Sequence, residues 1–339
     1  MAEKGYFIGV LKKASFGKLF ENVNKVHERC GKNKLAILLD MAWCLIRYGA
    51  GYYDYLIFAF YNMNAKQRST FVTRFISKKL NMALNDLDYC HYFDNKDEFY
   101  STFGKYTGRG FLDLSTATKE DVAAFVEGKD RIFCKMRDKT CGVGCERLEI
   151  KDFDGIDALW NYLKEKEFYT IEDVIVNHPD LAKLYDNAVN SMRIITLLDA
   201  KGEAHCLYVV QKIGLNGSII DNNCMFAPVD IETGEFLYSP HAGDTPLGIV
   251  YTEHPNSGIT IKGYKVPFVK EAVEMCKEAA HVIPQIRYIG WDVAVTKDGP
   301  VIIEGNTYCA HDFWQLPPHT PDKIGMLPTI KKLLPEMKI

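Results

Sequence analysis

The stretch from Gly290 to Asn306 constrains the fold more than any other part of the chain, because its pattern predicts a β-hairpin with side-chain oxygen atoms on one face. Alternating apolar residues flank a turn at 297–299, which ends in a glycine able to adopt the left-handed conformation at little cost. A three-residue loop there pairs Asp292 with Glu304 when the register is counted outward from the turn. A two-residue loop would move Glu304 to the other face, so the prediction depends on this register.

Asp292, Glu304 and Asn306 form the first candidate site. Directly opposed residues share a face of a hairpin, and alternation with a period of two places Asn306 on that face as well. Two opposed carboxylates repel each other, so a positive group is expected between them, and removing either charge is expected to leave the fold intact. Mg²⁺ suits the site, because it takes one or two carboxylates and leaves its other positions to water and phosphate oxygens. A hairpin with one solvated acidic face is the alternative interpretation.

The composition argues against several classes of protein. The 339 residues allow roughly two domains, and the net charge of -3 argues against binding of nucleic acid driven by charge. No apolar run reaches the roughly 18 residues needed to cross a membrane, and the first ten residues lack the apolar core of a signal peptide. The ten cysteines are scattered without a Cys-x-x-Cys pair, which predicts a cytoplasmic protein with reduced, buried thiols; zinc or redox chemistry is the alternative interpretation.

Residues 1–90 are predicted to form a helical N-terminal region. Lys34 to Arg47 is apolar on nearly all sides, which predicts a buried helix that stops near Gly49 to Gly51. An aromatic and then basic stretch at 52–79 has two interpretations, a site for an anionic partner or a core face backed by a solvated face. In the rest of the chain, Thr118 with Asp121 three residues later predicts a capped helix, and residues 169–175 are predicted to form a strand. Residues 191–198 and 204–212 are predicted to form a hairpin, and an apolar stripe predicts a helix at 268–283. This interleaving of strands and helices indicates an α+β or mixed α/β class. Residues 222–265, rich in glycine, proline and asparagine, are predicted to be mostly loop.

Three further features point to bound anions. A predicted strand at 131–135 leads into a loop in which Gly142 and Gly144 lie among basic residues, so its backbone amides can turn toward phosphate oxygens; an ordinary hairpin tip is the alternative. Arg193 lies in an apolar strand, where an unpaired guanidinium is costly and an anionic partner is expected. Glu172 and Asp173 lie in another apolar strand, where each should face water or a partner.

With these residues assembled, the chain resembles the ATP-grasp superfamily, and more closely its sugar-transfer associated group, by motif order over about residues 90 to 316. The resemblance implies that Mg²⁺ is bound by Asp292, Glu304 and Asn306, and that ATP is bound by the phosphate lysines Lys96 and Lys135, the glycine loop with Gly142 and Gly144, and an adenine hinge made of Glu172, Asp173, Val174 and Ile175. Asn190 and Arg193 also match the group. Arg193 and Lys135 are the residues expected to act in catalysis.

The resemblance also implies a domain organisation and an activity. After the helical region at 1–90, an ATP-grasp domain is expected at 91–339, with a nucleotide-binding part at about 91–175 and a catalytic part at about 176–339. The expected activity is that of an ATP-dependent carboxylate-amine ligase that forms an amide through an acyl phosphate, in the assembly of a cell-surface glycan or peptide. The acceptor would be a small carboxylate or a glycan-related molecule. A kinase acting on a sugar or polyol and a non-catalytic interaction protein are the alternatives.

The chain departs from the family pattern at two places. Many ATP-grasp ligases carry an arginine two residues before the metal aspartate, where this chain has Gly290, and Arg193 or Arg287 is the candidate substitute. The segment at 221–226 lacks the two glycines that follow the group's Asp-Asn motif, so the acceptor site is the part least defined by the resemblance. His311 and Asp312 resemble the group's usual His-Asp pair, with a structural histidine as the alternative.

Overall fold

The computed structural model describes residues 16–136, 144–217, 224–242 and 248–337. The predicted phosphate-loop residue Gly142 lies outside these residues. The chain divides into two compact units: one comprises residues 1–83, 244–248 and 310–339, and the other comprises 84–243 and 249–309. The division differs from the predicted domains in that residues 310–339 group with the N-terminal helices. The predicted functional domains themselves stay a prediction.

In its described residues, the first unit contains only helices as regular structure. They are α1 (Phe16–Cys30), α2 (Lys34–Tyr48), α3 (Tyr52–Ile57), α4 (Ala65–Arg68), α5 (Arg74–Leu84, which ends at the unit's boundary) and, near the C-terminus, α12 (Leu327–Leu333). The side chain of Asn33 caps the first turn of α2, and Gly49 ends that helix in the left-handed conformation with φ +62°. Only one side of α2 is buried, at Ile37, Met41 and Cys44. The prediction of a buried helix is therefore wrong, because the apolar residues on its other side lie in solvent.

The second unit contains a four-stranded antiparallel sheet with the order β1-β4-β2-β3. Its strands are β1 (Phe111–Asp113), β2 (Arg131–Met136), β3 (Cys145–Glu149) and β4 (Phe168–Asp173). Two helices, α8 (Lys119–Val126) and α9 (Gly155–Glu165), share a hydrophobic core with one face of this sheet. Thr118 and Asp121 form the predicted capping box at the start of α8. The β4 strand ends at Asp173, two residues before the predicted end.

The same unit contains a seven-stranded antiparallel sheet with the order β11-β10-β5-β6-β7-β8-β9. Its strands are β5 (Ser191–Leu198), β6 (Ala204–Gly214), β7 (Cys224–Pro228), β8 (His241–Ala242), β9 (Ile249–Val250), β10 (Tyr288–Thr296) and β11 (Gly299–Asn306). The helices α6 (His91–Asp94), α7 (Lys96–Thr107), α10 (Pro179–Leu184) and α11 (Val269–Ala280) complete the unit. The prediction of loop at 222–265 missed three short strands, because strands of two to five residues carry too few positions for a periodic pattern.

One face of the seven-stranded sheet forms the main hydrophobic core. Trp291 and Val293 of β10 and Ile194 of β5 lie on that face, and α7 and α11 contribute apolar residues to the same cluster. The indole of Trp291 is fully buried and donates a hydrogen bond from Nε1 to the hydroxyl of Thr196 at 2.9 Å. Because alternate residues of a strand point to opposite faces, the residues between these apolar positions are left for the other face.

The hairpin of β10 and β11 has the predicted pairing at its functional end and a different turn. Thr296 pairs with Gly299, so the loop has two residues instead of three. The register then shifts between Val293, which pairs with Ile302, and Asp292, which pairs with Glu304. Ile303 is thus an extra residue on β11, and this β-bulge returns Glu304 to the face of Asp292. The predicted loop length was wrong, and the predicted carboxylate pair was right because the bulge compensates for the shorter turn.

Within the part of the chain that the structure describes, no helix is both long enough and apolar enough to cross a membrane.

Candidate active site

The face of the seven-stranded sheet opposite the main core carries a row of charged side chains. Glu304 pairs with Asp292 across β11 and β10, and Asp292 pairs with Arg193 on β5. Arg193 pairs with Val210 of β6, and Lys212 lies two residues further along that strand, on the same face. The antiparallel register therefore brings carboxylates and cations from four adjacent strands to one surface.

Asp292 forms a bidentate ion pair with Arg193. The guanidinium donates from Nε to Oδ1 at 2.6 Å and from the second terminal nitrogen to Oδ2 at 2.8 Å, and Lys212 Nζ lies 3.5 Å from Oδ1. Burial alone would raise the pKa of Asp292, but the charges of Arg193 and Lys212 outweigh it and bring the pKa to about 2. Asp292 is therefore ionised at neutral pH, and Arg193 has the anionic partner expected from its place in an apolar strand.

Glu304 is the solvent-accessible carboxyl of the opposed pair. The pKa of Glu304 is raised, first because neighbouring protein groups displace part of the water around its carboxyl and then because of the negative charge of Asp292. The positive charges of Lys135 and Arg193 act to lower this pKa. The two carboxyls thus differ: nearby cations offset the cost of ionising Asp292, whereas they do not offset that of ionising Glu304. Glu304 is the group that gains most from an added cation.

The donor set fits Mg²⁺. Asn306 lies two residues from Glu304 on the same strand and donates from Nδ2 to Glu304 Oε1 at 3.4 Å and to the carbonyl of Gly290 at 3.3 Å. Two carboxyls and one amide are hard oxygen donors, and each carboxylate oxygen has a second lone pair beyond the one used by Arg193. Burial and the charge of Asp292 raise the pKa of Glu304, so the nearby cations do not fully offset the cost of ionising it.

Lys96 and Lys135 lie near Glu304 on the side of the four-stranded sheet. Lys96 is the first residue of α7 and donates from Nζ to the carbonyl of Met136 at 3.4 Å, and Lys135 is in β2. Burial and the charge of Lys135 lower the pKa of Lys96, whereas Glu172 and Glu304 act to raise it. The structure therefore brings the two predicted phosphate lysines together with the predicted metal carboxylate.

Glu172 has two cationic partners. Its side chain is buried in β4, with Lys135 Nζ at 2.6 Å from Oε1 and Arg109 Nε at 3.2 Å from Oε2. Burial would raise the pKa of Glu172, but Lys135 and Arg109 bring it to about 2. Asp173, the next residue, is bound by Lys129 at 2.8 Å and by the amide of Gly110 at 2.6 Å. Both acids of this strand thus have partners, as the sequence led us to expect.

Arg109 links β4 to the bulge of β11. While Nε faces Glu172, its two terminal nitrogens donate to the carbonyls of Ile302 at 2.8 Å and Ile303 at 3.1 Å. These are the carbonyls at the extra residue that restores the pairing of Glu304 with Asp292. The side chain of Arg109 is only 4% exposed, so these bonds are made away from water.

Replacing Arg109 by methionine is expected to lower the free energy of unfolding by about 2–3 kcal/mol, because two buried carbonyls lose their donor and Glu172 loses one partner. Arg131→Met is the matched control, since that guanidinium is 46% exposed and lies 4.0 Å from Glu149. Urea denaturation of both variants measures the difference. A loss for Arg109→Met no larger than for the control would show that Arg109 does not hold the bulge.

The predicted adenine hinge follows the end of β4. Val174 and Ile175 lie just beyond that strand, on the segment leading toward α10. Within the described residues, the backbone N–H groups of Val174, Ile175 and Val176 donate no backbone hydrogen bond. The N–H of His178 donates to the carbonyl of Val295 at 2.7 Å. The hinge therefore has backbone N–H groups that can donate hydrogen bonds to a planar heterocycle.

The remaining predicted residues fall in different places. Gly144 has φ +75° and accepts a hydrogen bond at its carbonyl from the amide of Met136 at 3.0 Å. Asn190 is buried and donates to the carbonyls of Leu181 and Tyr185, which is a structural role. His311 lies in the helical unit with Asp54, at 3.0 Å between Nε2 and Oδ1. Arg287 donates from Nε to the carbonyl of Leu198 at 3.0 Å.

The side chain of Arg193 lies beside Gly290, the position at which the sequence lacks the expected arginine. A Cβ atom built on Gly290 would lie 3.5 Å from Cδ of Arg193 and 3.1 Å from Ile195. The stem of Arg193 thus occupies the space above Gly290, and its guanidinium reaches Asp292 from the neighbouring strand. Arg193, and not Arg287, lies where an arginine at position 290 would start.

Two residues of the site were missed by the sequence analysis. Lys212 lies near the end of β6, among apolar residues. A cation in an apolar strand predicts an anionic partner, so the argument used for Arg193 could also have identified Lys212. Arg109 lies between two glycines outside any strand or helix, and nothing in the sequence near it indicates its partners.

The charges of the described site leave an excess of two positive charges. The cations outnumber the carboxylates by five to three, and they are Lys96, Arg109, Lys135, Arg193 and Lys212 against Glu172, Asp292 and Glu304. This excess favours an anionic ligand that carries several charges.

A family model described as sugar-transfer associated ATP-grasp matches residues 128–321. Similar solved structures include the ATP-grasp ligase PsnB complexed with a phosphomimetic variant of its minimal precursor, Mg and ADP (13% identity, TM-score 0.42, 74% of this chain and 63% of that chain). D-alanyl-alanine synthetase A from Vibrio cholerae O1 biovar eltor is another (14% identity, TM-score 0.39, 71% and 60%). The chain therefore spans less than two thirds of the length of these proteins. No curated protein matches the sequence.

Proposed function

Because the chain belongs to the sugar-transfer associated ATP-grasp family, we propose that it is a Mg²⁺-dependent ligase that uses ATP to join a carboxylate to an amine. Its α+β architecture is the ATP-grasp fold expected from the motifs. The observation that carries the proposal is Glu304, an uncompensated carboxyl opposite Asp292 that lies within the field of Lys96 and Lys135. A polyanion that brings its own divalent cation satisfies both the carboxyl and the lysines.

The proposed nucleotide site uses both sheets. The adenine lies at the hinge of Glu172, Asp173, Val174 and Ile175, where the backbone amides donate and accept and the Glu172 side chain stays bound to Arg109. Lys96 and Lys135 bind the phosphates, with the loop of Gly142 and Gly144 covering them. Glu304, Asp292 and Asn306 would hold Mg²⁺, which would supply positive charge to offset that of the phosphates.

The proposed reaction has two displacements. A substrate carboxylate oxygen attacks the γ-phosphorus, the bond from that phosphorus to the bridging oxygen breaks, and ADP leaves with the electron pair. The amine then attacks the acyl carbon and inorganic phosphate leaves, while the amine proton passes to solvent or to the departing phosphate. Arg193 and Lys135 stabilise the charge that develops on the transferred group, and Lys212 lies close enough to Asp292 to assist.

The proposal extends to the acceptor and to the location. The acceptor is a small carboxylate or a glycan-related molecule from cell-surface glycan or peptide assembly, as the family's description favours. A cytoplasmic location fits a reaction that consumes ATP in a chain with ten cysteines, nine of which the structure describes as free thiols.

Hydroxylamine trapping tests the chemistry. The protein is incubated with Mg-ATP, hydroxylamine and a panel of candidate carboxylates, and hydroxamate and ADP are measured together. We expect hydroxamate to form in step with ADP for the true acceptor, because hydroxylamine captures an acyl phosphate. A stable phosphorylated product without hydroxamate would replace the ligase with a sugar or polyol kinase. No nucleotide binding at all would leave the non-catalytic alternative.

A further inference from the structure

The exposed face of α2 is apolar along its whole length. Its four large residues are Leu35, Leu39, Trp43 and Ile46, with exposed fractions of 63%, 63%, 55% and 71%. At about 100° per residue they fall within an arc of roughly 80°, and the smaller exposed residues of the same face are Ala36 and Ala42. The opposite face is buried by the helical unit, so packing within the described unit does not account for this stripe.

The residues at both ends of the stripe are basic. Lys34 begins α2 and Arg47 lies in its last turn, both are exposed, and among the described residues no ion pair joins either to a carboxylate. The only acid of the helix, Asp40, is bound by the guanidinium of Arg68, with two contacts of 2.7 Å. Residues 16–48 contain six lysines and arginines against three acids, whereas the whole chain has a net charge of -3.

This charge pattern distinguishes between occupants of the stripe. If a second copy packed its α2 antiparallel to the first, Lys34 of one copy would face Arg47 of the other. If the two helices packed parallel, Lys34 would face Lys34 and Arg47 would face Arg47. Both arrangements place positive charges together. The negative charge of an anionic surface attracts the basic residues at both ends of α2, and an anionic lipid surface can also receive the apolar side chains between them.

The helices α1 and α2, residues 16–48, contact each other and form a helical hairpin, the α1–α2 hairpin. We propose that this hairpin binds the surface of an anionic lipid bilayer, with Leu35, Leu39, Trp43 and Ile46 inserted at the boundary of the headgroups. The stripe spans eleven residue steps, or about 16 Å of helix, which suits a helix lying in the plane of the surface. Trp43 lies at one edge of the arc, and its indole matches this depth because it is stable where apolar and hydrated regions meet. The proposal is independent of the ligase activity and uses no residue of the candidate active site.

Vesicle sedimentation tests the proposal with the full-length protein. We expect it to sediment with vesicles of phosphatidylcholine mixed with phosphatidylglycerol, to bind phosphatidylcholine alone at least tenfold more weakly, and to dissociate as salt is raised. The double variant Leu39→Ser/Trp43→Ser should bind the mixed vesicles at least tenfold more weakly. Leu87→Ser is the matched control, because Leu87 is 74% exposed and lies outside the hairpin. Unchanged urea denaturation shows that each variant is folded.

Two further variants separate the contributions of charge and insertion. Lys34→Glu/Arg47→Glu should abolish the preference for phosphatidylglycerol. Trp43→Phe should retain binding but lose most of the blue shift in tryptophan fluorescence that vesicles cause, since the other three tryptophans, Trp160, Trp291 and Trp314, lie outside residues 16–48. Absence of vesicle binding, or equal binding by Leu39→Ser/Trp43→Ser, would overturn the proposal. A wild-type dimer that this double variant converts to monomer, without vesicle binding, would also overturn it and identify a self-association surface.

Discussion

Glu304→Gln is expected to reduce ATP-dependent turnover at least about 100-fold while leaving the free energy of unfolding unchanged or higher. The amide keeps the size of the side chain but removes the charge that would bind Mg²⁺. It also removes the repulsion from Asp292 that raises the pKa of Glu304. ADP release at saturating Mg²⁺ measures the first effect, and urea denaturation measures the second.

The pH dependence of stability provides an independent readout of the same variant. A carboxyl whose pKa is raised in the folded state binds its proton more tightly there than in the unfolded chain, so its ionisation costs stability. In the wild-type protein this cost grows as the pH rises from the ordinary pKa of 4.5 through the raised value, and the glutamine variant should lack it. Asp298→Asn, an exposed acid in the turn of the same hairpin, is the control and should change neither property. Turnover by Glu304→Gln at the wild-type rate would remove the metal assignment.

Asp292→Asn is expected to lower the free energy of unfolding by about 3–5 kcal/mol. From the sequence alone we expected both carboxylate substitutions to leave the fold intact, because each relieves a repulsion. The structure changes this expectation for Asp292, because its substitution removes a carboxylate that forms ion pairs with Arg193 and Lys212, whose side chains are only 12% and 9% exposed. Loss of activity in Asp292→Asn is therefore confounded by loss of stability, whereas loss of activity in Glu304→Gln is not.

A double-mutant cycle measures the Arg193–Asp292 pair directly. Because each single substitution removes one member of the same buried ion pair, Arg193→Met/Asp292→Asn should lose about 1–3 kcal/mol less stability than the sum of the two single losses. Urea denaturation of the four proteins gives the coupling energy. Additive losses would mean that the two side chains act independently, and that Lys212 alone compensates Asp292.

The local pattern of the chain predicted much of the fold. The capping box at Thr118, the hairpin of β5 and β6 and the helix at 269–280 follow from residues close together in sequence, so short-range rules locate them. The short strands within 222–265 were missed, because their pairing partners, and not their own residues, make them strands. The exposed stripe of α2 was assigned to the core, since apolar composition by itself does not say which face is covered.

For the candidate site, the sequence by itself determined which chemical groups are present: three oxygen donors on one hairpin, two lysines on separate elements, and an arginine that requires an anion. Only the tertiary structure decided how these groups pair. A two-residue turn and a bulge at Ile303 together produce the pairing of Asp292 with Glu304, and Arg109 binds the carbonyls of that bulge from a distant part of the chain. The reason is physical: the identity of a side chain is local, whereas strand register and burial depend on what lies across the sheet, and these set which carboxyl has its pKa lowered and which has it raised.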